Sequence, residues 1–414
     1  MLFSRIRYFF QMSVEQSRDE ILDDIRFYFN PVDTQRCPYY DASYKSANNL
    51  KMTLPFALRW YRAVSQTQTS NENIVLSPLS MQSVLQLIYQ SIDDAEAETQ
   101  LKQHVFGGLS KEHVATAFVA LNEHFNPLKN VHKQVEDDAD MSNRYTVNVI
   151  AYAIPVINKI VKVVTRDMIP EALDASEYDR ELTKLIIMNA LFFNATWEHP
   201  FTEGGETMQD KFVPSKSSKR GIDTVFMSTD GMFPFYENDE MQMLSLRYKG
   251  GKQKMFFLLP KEESLDQFEK RLTPRNVLKW MKRLRMQETI VIVPKFELSM
   301  DLLGVESLRA MGVSSIFERV DFGGLFKSTY KENYEPPLKV DGITHKVLLQ
   351  VHERGTTGVA VSSAGAVSTS RKAIFHANRP FAFVVYDDET KSIMFIGRFT
   401  NPKPSKRRNH DLHH

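Results

Sequence analysis

The sequence holds few side chains that could catalyse a reaction. Cys37 is the only cysteine, so no internal disulfide and no cysteine-held zinc or iron–sulfur site can form. An unpaired thiol without a role, or one that pairs with another molecule, are the two readings left. The eleven histidines do not fall at metal-ligand spacing, and three of them lie in the last five residues. No GxSxG, HExxH or GxGxxG pattern occurs, and Gly323 to Ser328 has P-loop residue types without P-loop spacing. With no nucleophile–base arrangement in view, a hydrolytic enzyme is disfavoured, and no cofactor or metal is expected. What remains is chemistry done to the chain. Asn194-Ala195-Thr196 is an N-glycosylation sequon or a chance match to one. Lys279, Lys282, Arg283 and Arg285, and the run Lys406 to Arg408, suit a polyanion such as heparin, or are a solvated helix face and tail.

The segment Gly355 to Ser370, GTTGVAVSSAGAVSTS, is the most unusual stretch. It has no charge and no aromatic. Thr356, Gly358, Ala360, Ser362, Ala364 and Ala366 are all small, while Thr357, Val359, Val361 and Val367 fall on the alternate positions. In a strand these two sets face opposite ways. One face is thin enough to pass between existing strands. A flexible surface linker and an edge strand are the plainer readings, although a structureless connection this long inside a domain is uncommon unless it has a function.

The surrounding elements must position that segment. Net charge is +1 over 414 residues, which gives no general attraction to nucleic acid or acidic surfaces. With 42% hydrophobic residues the chain can build a large core. No stretch approaches the roughly 18 apolar residues of a membrane-spanning helix. Leu54 to Val64, Met81 to Tyr89, Lys111 to Phe125, and Ile157 to about Leu173 carry helical periodicity, and Pro78 suits a first turn. Leu185 to Phe193, Met255 to Leu259, Thr289 to Val293, Lys346 to Val351 and Phe381 to Tyr386 read as strands. Helices and strands do not alternate regularly, so the class is α+β. Residues 1–50 read as an N-terminal extension, 51–402 as one domain, and 403–414 as a basic, His-rich tail.

Blocks of residues across 51–402 resemble the serpin family. Asn73 to Ser80 is one block. Asn189-Ala190-Leu191-Phe192-Phe193 with Trp197 and Pro200-Phe201 is a second. Pro294-Lys295-Phe296, and Met311-Gly312-Val313 with Phe317 and Asp321-Phe322, follow. Leu338-Lys339-Val340 with His345-Lys346 leads into Val351 to Thr356, which is similar to the family's proximal hinge. Phe375 to Phe381 and Ile393 to Arg398 are similar to its C-terminal signature.

The resemblance implies the serpin fold, three β-sheets with about eight or nine helices and an exposed reactive-centre loop. It implies that Ser77, Ser80, Asn189 and His345 form a polar cluster, the shutter, beneath the point where the main sheet opens. It implies that Trp197, Lys295 and Glu353 form the breach at the top of that sheet, with Lys295 and Glu353 paired. The hinge residues carried over are Glu353, Gly355, Thr356, Gly358 and Ala360. The family's usual loop length puts the reactive bond at Thr369-Ser370, which suits an elastase-like target. Arg371 and Lys372 are the alternative, for a protease with an acidic pocket. The implied partner is a target serine protease, trapped as a covalent acyl-enzyme when the cut loop inserts into the sheet. A monomer without a membrane or nucleic-acid partner is expected, and the family scaffold without inhibition is the alternative.

Three departures bear on this. The hinge has Thr357-Gly358-Val359-Ala360-Val361 where the family usually has a glutamate and alanines. The stretch from Ser77 to Asn158 is shorter than usual. Asn194-Ala195-Thr196 stands where Lys-Gly is common. Met1 to Phe10 is apolar but interrupted by Arg5 and Arg7, without a clear cleavage site, so an extracellular location is expected from the family and a cytoplasmic one is the alternative.

Overall fold

A computed structural model describes residues 42–124, 143–151, 162, 186–201, 208–215, 220–261, 264–318, 340, 342–353 and 372–402. The first helix, α1 (Ala42–Thr67), begins inside the stretch read as an extension. Asn49 is already buried there and donates to the Thr390 carbonyl at 3.1 Å. Residues 42–50 are too polar and too irregular to show a helical period, and among them Asn49 and Leu50 pack against the core.

After β1 (Ile74–Leu76), Ser77 caps α2 (Pro78–Ser91). Its hydroxyl accepts the Ser80 N–H at 3.4 Å, and Pro78 takes the first turn, where a missing N–H does no harm. Two amphipathic helices follow, α3 (Ala95–His104) and α4 (Lys111–His124). The helix expected at Ile157 to Leu173 lies outside the described residues apart from Lys162.

The strands are β2 (Asn143–Ala151), β3 (Ile186–Asn194), β4 (Met208–Phe212), β5 (Ile222–Glu237), β6 (Met241–Arg247) and β7 (Gln253–Pro260). The short helices α5 (Leu265–Glu269) and α6 (Pro274–Met281) lead to β8 (Arg285–Pro294), β9 (Phe296–Leu303) and α7 (Val305–Ala310). Last come β10 (Gly342–Val351), β11 (Ala373–His376), β12 (Phe381–Asp387) and β13 (Ser392–Phe399). The runs expected to be strands are therefore β3, β7, β8, β10 and β12.

One sheet has the order β2-β3-β10-β9. The other runs β1-β13-β12-β7-β6-β5-β8-β11, with β4 also on β5. The 16-residue β5 joins two parts into that one ladder: it pairs β8 from Phe226 to Phe235 and β6 only from Phe235 to Glu237. Seen this way the expected three sheets are present, two of them sharing a strand. The core lies between the sheets and under α1 and α2, where Phe56, Trp60, Val64, Leu85, Phe257, Phe383 and Phe395 are inaccessible. β12 and β13 are buried along their whole length. A Cβ at Gly397 would run into the Ile74 carbonyl and the Phe383 ring, so only glycine lets β1 and β12 close on β13.

Among the described residues Arg398 is the largest fully buried charged side chain. It donates to the Thr69 and Glu72 carbonyls at 2.7 and 3.0 Å and pairs with Glu269 at 3.2 Å. Asn73 accepts the main-chain N–H groups of Thr400 and Asn401 at 2.8 and 3.0 Å. The end of β13 is thereby tied to the loop before β1, with each buried polar group partnered.

Candidate functional site at the seam between β3 and β10

β3 and β10 are hydrogen-bonded neighbours, and they are parallel. The register runs from Gly342↔Ile186 to Leu349↔Phe193. Both outer neighbours, β2 on β3 and β9 on β10, are antiparallel. The seam is thus the only parallel pairing in this sheet among the described residues, and parallel ladders are slightly weaker per residue. β10 ends at Val351, and β11 starts at Ala373 in the other sheet. The chain leaves β10 at the top of the seam through His352 and Glu353.

Beneath the seam His345 stands in register with Asn189. His345 is inaccessible, and its Nε2 accepts the main-chain N–H of Ser77 at 3.0 Å. Burial pushes the imidazole down to about 3, so it is neutral at pH 7. A neutral ring accepting at Nε2 carries its proton on Nδ1. The Ser80 hydroxyl donates to the Ser77 carbonyl at 3.1 Å. Two residues not anticipated from sequence complete the floor: Trp60 packs edge-on to His345, with centroids 5.0 Å apart, and its indole N–H donates to Ser307 at 3.0 Å. The structure therefore brings Ser77, Ser80 and His345 together, with the Asn189 backbone alongside.

At the top of β10, Trp197 is buried and stacked on Tyr248 at 4.4 Å. Its indole N–H donates to the His352 carbonyl at 3.0 Å. Lys295 lies between β8 and β9, and its Nζ is 3.0 Å from Glu353 Oε2. Burial works against the charged Glu353, but its own main-chain N–H and the Lys295 ammonium hold the carboxyl below its usual value. Trp197, Lys295 and Glu353 so converge on the turn that ends β10. Tyr248 was not foreseen, because an isolated bridge between distant residues leaves no local sequence mark, and His352, although part of the hinge block, was given no role as the acceptor for Trp197.

Gly355, Thr356, Gly358, Ala360, Thr369, Ser370 and Arg371 lie outside the described residues. Lys372 is described, and its ammonium is bonded to Asp230 at 2.6 Å and Glu288 at 3.2 Å. Asn194 is the last residue of β3, in register with Asn143. Lys279, Lys282, Arg283 and Arg285 are exposed at the end of α6 and the start of β8.

The arrangement can be compared with known proteins. A family model described as Serpin (serine protease inhibitor) matches residues 145–402. An uncharacterized serpin-like protein of Thermococcus kodakarensis is 32% identical over 227 residues, which cover 54% of this chain and 51% of that protein. The chain thus spans about half the length of that relative. Serpin B3 of Homo sapiens is 26% identical over 384 residues, covering 81% of this chain and 95% of that one. The solved structure of a tumour suppressing serpin superposes with a TM-score of 0.73 at 18% identity, over 86% of this chain and 100% of the other, a likeness of fold.

Proposed function

This chain belongs to the serpin family, and we propose on that premise that it inhibits serine endopeptidases by acting as their suicide substrate. The observation that carries the reading is the parallel seam between β3 and β10. A segment that turns back after Val351 would run antiparallel to both strands. Insertion would replace one parallel ladder by two antiparallel ones, each the better-bonded kind. Gly355 to Thr369 has small residues on one strand face throughout, and stretched out it spans about 50 Å. That exceeds the length of β10, so a group attached at Thr369 would be carried past the far end of the seam.

The chemical step belongs to the protease. Its serine oxygen adds to the Thr369 carbonyl, the C–N bond to Ser370 breaks, and the released amine takes the proton that the protease histidine removed from the serine. Thr369 is left as an ester on the enzyme. This chain then acts by geometry: insertion drags the ester away before water reaches it. Trp197 and the Lys295–Glu353 pair hold the turn at the top of β10 until the cut frees it. The same reading includes secretion, an N-glycan on Asn194, a monomeric inhibitor, and a heparin contact at Lys279, Lys282, Arg283 and Arg285. Gly358 and Val359 in the hinge favour a second reading, a scaffold that is cut without trapping.

The test is to incubate the purified protein with elastase-like and trypsin-like proteases and run denaturing gels, with the released C-terminal fragment sized by mass spectrometry. A complex that survives SDS, with a fragment starting at Ser370, is expected. Clean cleavage without any complex would overturn inhibition and leave the scaffold reading.

A further inference from the structure

Lys372 is the last residue before β11. Its two carboxylate partners come from two other strands, Asp230 from β5 and Glu288 from β8. The registers explain why they meet. Asp230 lies opposite Ile290, Met232 opposite Glu288, and Ile374 opposite Ile290. Residues two apart share a face, so Asp230, Met232, Glu288 and Ile374 lie on one side of this sheet. Thr289, Val291 and Phe375 lie on the other side and are buried. The first side is open to solvent: Met232 is 53% exposed and Ile374 56%. The three-residue clamp therefore stands on the solvent-facing side of this sheet.

We propose that Asp230 and Glu288 determine specificity, by holding Lys372 to the sheet and so barring the Lys372–Ala373 bond from proteases with an acidic specificity pocket. Such a protease binds a basic side chain with a carboxylate of its own. To enter that pocket Lys372 must first leave two carboxylates already in place. The far side of the bond adds a second barrier, because Ala373 is already paired in the ladder with Thr289. Cleavage also needs a segment free to extend into the protease cleft, and such segments are the usual sites of nicking. At the preceding bond, Arg371–Lys372, the first residue on the far side is Lys372, which precedes the strand. The two carboxylates thus mark where the usable part of the loop ends. The meaning of this for inhibition rests on the loop being protease bait, but the clamp itself is read from where the chain is cut.

The test is single-hit digestion of the full chain with trypsin, with mass spectrometry counting C-terminal fragments that start at Lys372 and at Ala373. A synthetic peptide of residues 366–378, in which nothing holds Lys372, gives the unclamped ratio. In the protein, cleavage after Lys372 relative to Arg371 is expected to fall below the peptide value by about 1.4-fold to fivefold, the range for exposed ion pairs. The D230N/E288Q double variant should move that ratio back toward the peptide, and 1 M NaCl should move the wild type the same way by screening. A wild-type ratio equal to the peptide's, or one that neither the double variant nor salt shifts, would overturn the proposal. The wild-type, peptide and salt comparisons stand even if the double variant does not fold. Because the readout is a cut-site ratio, it is independent of whether an SDS-stable complex forms.

Discussion

His345 works by being uncharged. In the folded chain it is held at about 3, against an ordinary value of 6.5. Between those values the unfolded chain binds a proton that the folded chain does not, so stability rises with pH across the window. The contribution is complete above about pH 6.5 and is lost as pH falls toward 3, by about 1.4 kcal/mol per unit. Asp387 also acts on the acid side but lower down. Burial would raise its carboxyl, yet bonds from His124 and from the Thr390 N–H, the latter at 2.7 Å, hold it to about 2 against an ordinary 3.8. Its stabilisation is present above pH 3.8 and lost below. The windows barely overlap, so pH 4.5 to 6 separates His345 from Asp387, and comparison with a His345 variant separates it from the other shifted groups, His104, His376 and Glu269. Urea unfolding there should give wild type a steeper pH slope than H345Q, and equal slopes would mean that His345 stays protonatable in the fold. At pH 7 the variant should be less stable by about 1–3 kcal/mol, the usual consequence of disturbing a buried hydrogen-bond acceptor, here that of the Ser77 N–H.

At the level of elements the seam decides the outcome. T356R and A360R each place a charge on the small face of the segment that, on the proposed mechanism, enters the sheet. Burying an unpaired charge is very unfavourable, so both should change an inhibitor into a plain substrate. On a gel the covalent complex should vanish while the cleaved product increases; persistence of the complex would rule out insertion. W197F removes the donor to the His352 carbonyl, one hydrogen bond of about 1 kcal/mol. It should let a synthetic peptide of residues 355–369 anneal to the sheet about fivefold faster, followed by native-gel mobility. Much of this element was legible beforehand. Residue types around Ser77, Asn189, Trp197, His345 and Glu353 were enough to expect a shutter and a breach. They did not reveal that Ser77 gives its main-chain N–H to His345 while its hydroxyl caps α2, because cap and shutter demand the same serine. Nor did they reveal Trp60, which reaches His345 from α1, or Ser307 of α7, which accepts the Trp60 indole N–H. The Lys372 partners were equally invisible, since a register between three separated strands is set by packing and leaves no local pattern.

The molecule as a whole holds its last strands more tightly than its covalent chain requires. A cut at the proposed bond after Thr369 would separate residues 1–369 from the rest, yet β12 and β13 are buried along their length and Arg398 is locked by Glu269 and two carbonyls. The two pieces should elute together on native size exclusion and part only in denaturant. If the loop inserts, the thermal midpoint of the cut protein should also rise; a lower midpoint would mean that nothing replaced the lost connection. The pairing of β1 with β13, Ile74↔Arg398 through Leu76↔Ile396, carries one further consequence. On the ribosome, β1 emerges long before its partner β13. The nascent chain must wait with that edge open, and the moment the C-terminal strands leave the exit tunnel becomes the moment the sheet can close.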